Sequence, residues 1–203
     1  MANAADRTIG LLLAAGSGRR FDASAPGRKL DALIDGQSVA SRALHALIAS
    51  CDVVLVAART PTTAVALEAQ ALGATVLIPE ASSLGMGHSL AALAVAAQER
   101  FPVAETMVVA LADMPWLDPK TIAALVSASR HDDAIVQPTF DGERGHPVVF
   151  PARYGPALAA CSGDTGARDV VRRNADNLRL VAVTDSGVVR DVDTPADLLP
   201  ASE

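Results

Sequence analysis

The chain has 203 residues and a formal net charge of -6, a length that suits one domain with a sizeable core. Half of the residues are hydrophobic but only 3% are aromatic, so the core must be built from Ala, Val, Leu and Ile. The acidic balance, with no basic stripe or aromatic platform, excludes nucleic acid from the expected partners, and no apolar run is long enough to cross a bilayer. The N-terminus lacks a basic stretch leading into a long apolar core, and Cys51 and Cys161 lie far apart. Together these predict a cytoplasmic protein with reduced thiols.

The first apolar run, Ile9–Ala15, predicts a strand and stops abruptly at Gly16-Ser17-Gly18. Arg19 and Arg20 follow, and Lys29 comes a short loop later. Glycine lets backbone N–H groups approach an anion, and the cations supply full charges, so this stretch predicts a phosphate-binding loop. It has neither the third glycine of a dinucleotide fingerprint nor the Gly-Lys-Ser/Thr of a P-loop. Helical spacing then covers Ser38–Ser50, an apolar run covers Val53–Ala58, and a helix is predicted over Thr62–Leu72. A strand at Thr75–Ile78 precedes a helix over Gly87–Arg100, with a start signal at Ser89-Leu90. The run Met107–Ala112 leads into Asp113-Met114-Pro115, and Asp118-Pro119 opens a helix over Lys120–Ser129. Strands at Ala134–Gln137 and Val148–Phe150 flank a turn over Phe140–Gly145, and Leu178–Val183 is the last strand.

These runs lack clean alternation, as strands covered on both faces do. The strand–helix alternation predicts an α/β domain with a mostly parallel sheet, right-handed crossovers and a mixed later part. Ligands are expected beyond the carboxyl ends of the strands. Asp113 stands at such an end, where one or two carboxylates plus substrate phosphates can hold Mg2+. A turn aspartate is the alternative reading, but Asp118 already fits the cap before Pro119. In Asp191-Val192-Asp193-Thr194-Pro195 the two acids alternate on an extended segment and face the same way. Two carboxylates on one side invite a divalent cation, while Asp193 or Thr194 is expected to cap a helix starting at Pro195.

Leu13-Ala14-Ala15-Gly16-Ser17-Gly18-Arg19-Arg20-Phe21 with downstream Lys29 resembles the signature of the MobA-like nucleotidyltransferases. Leu111-Ala112-Asp113-Met114-Pro115 and the segment from Asp191 to Asp197 resemble that superfamily's two metal segments. Gly85-Met86-Gly87-His88-Ser89-Leu90, Gly145-His146-Pro147-Val148 and the stretch from Gly163 to Arg168 are similar to elements of the molybdenum cofactor cytidylyltransferase branch. The resemblance implies one Rossmann-like, GT-A-like domain over the whole chain, with an NTP-binding half at about 8–115 and an acceptor-binding half at about 116–198. It implies transfer of a cytidylyl group from CTP to molybdenum cofactor, with a sugar or polyol phosphate acceptor or an NAD(P)H-dependent reductase as the alternatives, and a molybdoenzyme or its chaperone as a partner.

Carried over by position, Leu13, Ala14, Ala15, Gly16, Ser17, Gly18 and Arg19 would hold the nucleotide, with Gly87, His88 and Ser89 beside it. Lys29 would lie on the phosphates, with Arg28 as the alternative, and Arg19, Lys29 and Asp113 would carry catalysis. Mg2+ would sit on Asp113 and Asp191, and His146, Asp164 and Arg168 would bound the acceptor. The chain departs from the family pattern at Asp22, where glycine is usual, and in the longer loop from Asp22 to Arg28.

Overall fold

The computed structural model describes residues 7–16, 21, 28–80 and 85–198. Ser17, Gly18, Arg19, Arg20 and Asp22 of the predicted phosphate loop lie outside the described residues. In chain order the elements are β1 (Thr8–Ala14), α1 (Arg28–Asp31), the hairpin β2 (Leu33–Ile34) and β3 (Gln37–Ser38), α2 (Val39–Ile48) and β4 (Val53–Ala58). Next come α3 (Ala64–Ala71), β5 (Thr75–Leu77), α4 (Met86–Arg100), β6 (Thr106–Leu111) and α5 (Pro119–Asp132). The last are β7 (Ile135–Phe140), β8 (Glu143–Arg144), β9 (Val148–Pro151), α6 (Gly155–Ala159), α7 (Arg168–Arg173) and β10 (Leu178–Ala182).

The main sheet runs β10-β7-β9-β6-β1-β4-β5, with β8 paired to β7. β1 lies parallel to β4 on one side and to β6 on the other, and all seven of its residues are buried. Only β8 and β9 run against the rest: β9 is antiparallel to both β6 and β7. The sheet is therefore mostly parallel with a mixed later part, as the sequence predicts.

Both faces are covered, which is why the strands read as continuous apolar runs. Along β1, Leu12 and Ala14 join a cluster with Leu44 and Leu47 of α2, Val65 of α3 and Leu125 of α5. Ile9, Leu11 and Leu13 join the opposite cluster with Leu90 and Leu93 of α4, Leu158 of α6 and Val170 of α7. Each fully buried leucine of this kind contributes roughly 1.5–3 kcal/mol relative to exposure. No helix among the described residues is long and apolar enough to cross a membrane.

Local chemistry starts the helices. Ser38 accepts a hydrogen bond from Ser41 N at 3.1 Å at the head of α2. Asp118 accepts from Lys120 N at 2.8 Å before Pro119 opens α5, as predicted. Asp141 (φ 49°) and Gly142 (φ 83°) turn β7 into β8, in the hairpin geometry expected of Asp-Gly.

Two local expectations change. α4 begins at Met86 behind Gly85, so Ser89 and Leu90 lie inside the helix and are buried. At the C-terminal segment Pro195–Leu198 is a single 3-10 turn, and its cap runs the other way round. Asp197 accepts from Asp193 N at 3.0 Å, from Thr194 N at 2.6 Å and from Thr194 Oγ1 at 2.9 Å. This leaves the Asp193 carboxylate to face Lys29.

Candidate functional site

The parallel strands deliver their carboxyl ends to one edge of the sheet, and the crossover helices deliver their N-termini to the same edge. β1 ends there in Leu13, Ala14 and Ala15, all buried, and then in exposed Gly16. Ala112 N donates to Leu13 O at 3.1 Å, which ties the end of β6, where Asp113 follows, to the end of β1. Val192 N donates to Asp113 O at 2.9 Å, so the Asp113 carbonyl docks the Asp191–Asp193 segment.

Oxygens of Asp113, Asp191 and Asp193 all lie within 4.8 Å of one another. Lys29, on α1, is buried against them at 8% exposure. Its Nζ donates to Asp113 Oδ2 and to Asp193 Oδ1, each at 2.8 Å. Burial alone would lower the Lys29 pKa, but Asp113 and Asp193 outweigh it and hold the ammonium above its ordinary value. Asp191 is pushed up, first by desolvation and then by repulsion from Asp193 and Asp113, with Lys29 countering. The adjacent Arg28 is exposed.

The donor set fits a hard divalent cation. Asp113 Oδ1 is buried with no hydrogen-bond partner, and carboxylate oxygens at this spacing are the ligands that Mg2+ and Mn2+ take. Because the folded chain holds the Asp191 proton to higher pH than the unfolded chain does, stability falls as pH rises through this group's titration. A divalent cation relieves that repulsion only when Asp191 is ionised. The gain in melting temperature on adding Mn2+ is therefore expected to shrink as pH falls through this group's titration, and a gain unchanged from about pH 7 into the carboxylate range would contradict this.

Among the described residues, the other buried side-chain polar atoms without a hydrogen-bond partner are His88 Nδ1 and His146 Nδ1. Such orphans are uncommon in folded proteins. His88 lies in the first turn of α4, on the ligand edge. His146 precedes β9 and is held by donation from its backbone N to Val188 O at 2.8 Å. Burial lowers the His146 pKa, against the pull of Asp113 and of the Val109 backbone, and Arg168 lowers it further. The structure thus brings His146 within electrostatic reach of both Asp113 and Arg168.

Gly87 has a packing role that its sequence does not announce. Its N–H donates to Gly163 O at 2.7 Å, and a Cβ would stand 2.5 Å from Ser162 O. Asp164 sits on the same side, with its Oδ1 beside Gly85. The head of α4 is therefore docked on the 162–164 loop. Gly87→Ala is expected to cost about 1–3 kcal/mol by overpacking. Thermal unfolding reads this directly, and an unchanged melting temperature would show that the loop can move aside.

Arg59 was not among the predicted site residues. It follows β4 directly, on the ligand edge, and its guanidinium donates to Gly16 O at 2.7 Å. A cation immediately after a strand's carboxyl end is the signal that could have found it, as it found Arg19.

The family model of the MobA-like NTP transferase domain matches residues 10–178. The chain belongs to this family. Nucleotidyl transfer is the chemistry that this membership assigns to it. Among solved structures, the MobA-like chain is similar to Rv0371c from Mycobacterium tuberculosis H37Rv, at 26% identity over 95% of this chain and 96% of that one, with a TM-score of 0.73. A second structure of Rv0371c is a complex with manganese (23% identity, 94% and 95% covered, TM-score 0.72). A nucleotidyl transferase from Methanothermobacter shares the fold, at 17% identity over 94% of each chain and a TM-score of 0.76. No curated protein matches the sequence.

Proposed function

We propose that this MobA-like domain moves a cytidylyl group from CTP to the phosphate of molybdenum cofactor and releases pyrophosphate. The observation that carries the reading is the Asp113–Asp191–Asp193 cluster, set against Lys29 and the end of β1. In the reaction an acceptor phosphate oxygen bonds to the α-phosphorus. The bond from the α-phosphorus to the bridging oxygen breaks, and pyrophosphate leaves with the electron pair. The nucleophile is already ionised, so the chain needs no general base; it positions groups and neutralises charge.

Gly16 and the Ser17-Gly18-Arg19 stretch receive the triphosphate in this reading. Leu13-Ala14-Ala15-Gly16 is the spelling that supports CTP. Lys29 and Arg19 stabilise the charge that develops on departing pyrophosphate. Asp113 and Asp191, with Asp193 beside them, would hold Mg2+, which when bound neutralises phosphate charge as a Lewis acid. The manganese complex of Rv0371c supports a divalent ion of this class. His88 lies in the first turn of α4, where an anion or base edge would meet it, with Ser89 buried behind it. Burial favours the neutral His146 imidazole, whose unpartnered Nδ1 supports a hydrogen bond to the acceptor, and Arg168 and Asp164 would bound the acceptor in this reading. The product would pass to a molybdoenzyme or its chaperone.

The test is to incubate the protein with CTP, a divalent metal and molybdenum cofactor, and to identify the product by mass. A cytidylyl adduct of the cofactor is the expected result. An adduct formed only with a sugar or polyol phosphate would replace the acceptor, and NADPH oxidation without any adduct would replace the reaction.

A further inference from the structure

The Lys29 ammonium does not reach into solvent. It sits 2.8 Å from Asp113 Oδ2 and 2.8 Å from Asp193 Oδ1, and its side chain is 9% exposed. These are two of the three carboxylates that lie within 4.8 Å of one another. An ammonium at this distance takes one lone-pair site on each of two oxygens that a divalent ion would also use. It also repels any divalent ion placed beside it, most strongly where water is excluded. With Lys29 in place, Asp113 Oδ1 is buried without a partner, and Asp191 carries the repulsion of its neighbours.

We propose that Lys29 is the resident counter-ion of the Asp113–Asp191–Asp193 cluster, and that this ammonium and a divalent metal are alternative occupants of it. The metal enters as the ammonium leaves, and the ammonium leaves onto nucleotide phosphates. This deepens the reading of the cluster as the metal site of a nucleotidyltransferase, and rests on it. The consequence is an order of loading. Metal alone binds weakly because it must displace an internal cation that has nowhere better to go. Phosphates give Lys29 a new partner, so nucleotide raises metal affinity, and metal raises nucleotide affinity by the same factor. The site then stays closed to stray cations until substrate arrives.

The chain has two lysines, Lys29 and Lys120, so protein labelled with 15N at the lysine Nζ gives each a separate signal. Saturating Mg2+ without nucleotide is expected to shift the Lys29 signal and to leave that of Lys120, which is exposed at the head of α5. Mn2+ binding followed by electron paramagnetic resonance, again without nucleotide, is expected to be about tenfold tighter in Lys29→Met than in the wild type, with Lys29→Arg close to the wild type. Mg2+ that binds without moving the Lys29 signal overturns the proposal, and so does Mn2+ affinity in Lys29→Met that is equal to or weaker than in the wild type. The wild-type spectrum decides alone if Lys29→Met does not fold. Neither measurement reads turnover, so failure here leaves nucleotidyl transfer standing, and failure of nucleotidyl transfer leaves the exchange standing.

Discussion

Asp113→Asn is expected to slow pyrophosphate release about 1,000-fold or more while nucleotide still binds. Asp113 is tied into the site two ways, its carbonyl docking Val192 and its Oδ2 accepting from Lys29, and its Oδ1 is a buried oxygen with no partner. Asn keeps the shape and one acceptor but removes the charge that a divalent ion needs. Loss of metal-borne stabilisation of phosphate charge is worth several kcal/mol, and each ~1.4 kcal/mol is a factor of ten in rate. The fold is expected to tolerate the change, because Lys29 keeps its ion pair with Asp193 and an acceptor at position 113, and one of three mutually repelling carboxylates is removed. Single-turnover release with CTP, read beside nucleotide binding and thermal unfolding, checks all three parts. Wild-type turnover in Asp113→Asn would remove the cluster from the mechanism.

Lys29→Met is expected to lose both turnover and stability. Removing one partner of a fully buried ion pair costs about 3–5 kcal/mol. Here the two carboxylates are 26% and 36% exposed, so solvent screens the charges left behind and about 1–3 kcal/mol is expected. Turnover falls about 100- to 1,000-fold if the same ammonium stabilises leaving pyrophosphate. Mn2+ at a hundred times its dissociation constant adds about 2.7 kcal/mol to a folded state that binds it, so metal is expected to rescue the variant's stability but not its rate. A metal-free Lys29→Met protein that melts with the wild type would mean that the two 2.8 Å contacts contribute nothing net.

The sheet was readable because β1, β4 and β6 are buried on both faces, and such strands spell continuous apolar runs. The hairpin β2–β3 was not foreseen, although Asp35-Gly36 is a hairpin turn signal; strands of two residues have no alternation to read. Nor does the sequence tell that β9 inserts between β6 and β7, because the pairing is set by contacts distant in the chain. At the site, Asp113 and Asp191 were legible from their places after a strand and on an extended segment. Asp193 was legible as the second acid of that segment but not as a residue freed from the cap, because Asp197 takes over the cap only once the last turn folds back. Arg59 carries a sequence signal in its place directly after β4, but its contact does not, since its partner is a backbone carbonyl 43 positions away. Burial of His146 with an unpartnered ring nitrogen likewise emerges only from the packing of β9 beside β6.

The most direct test of the account is pyrophosphate release measured with CTP, GTP, UTP and ATP in turn, with Mg2+ and molybdenum cofactor present. Release with CTP, abolished by chelation of the metal and by Asp113→Asn, is the predicted result. No release with any of the four nucleotides would contradict it.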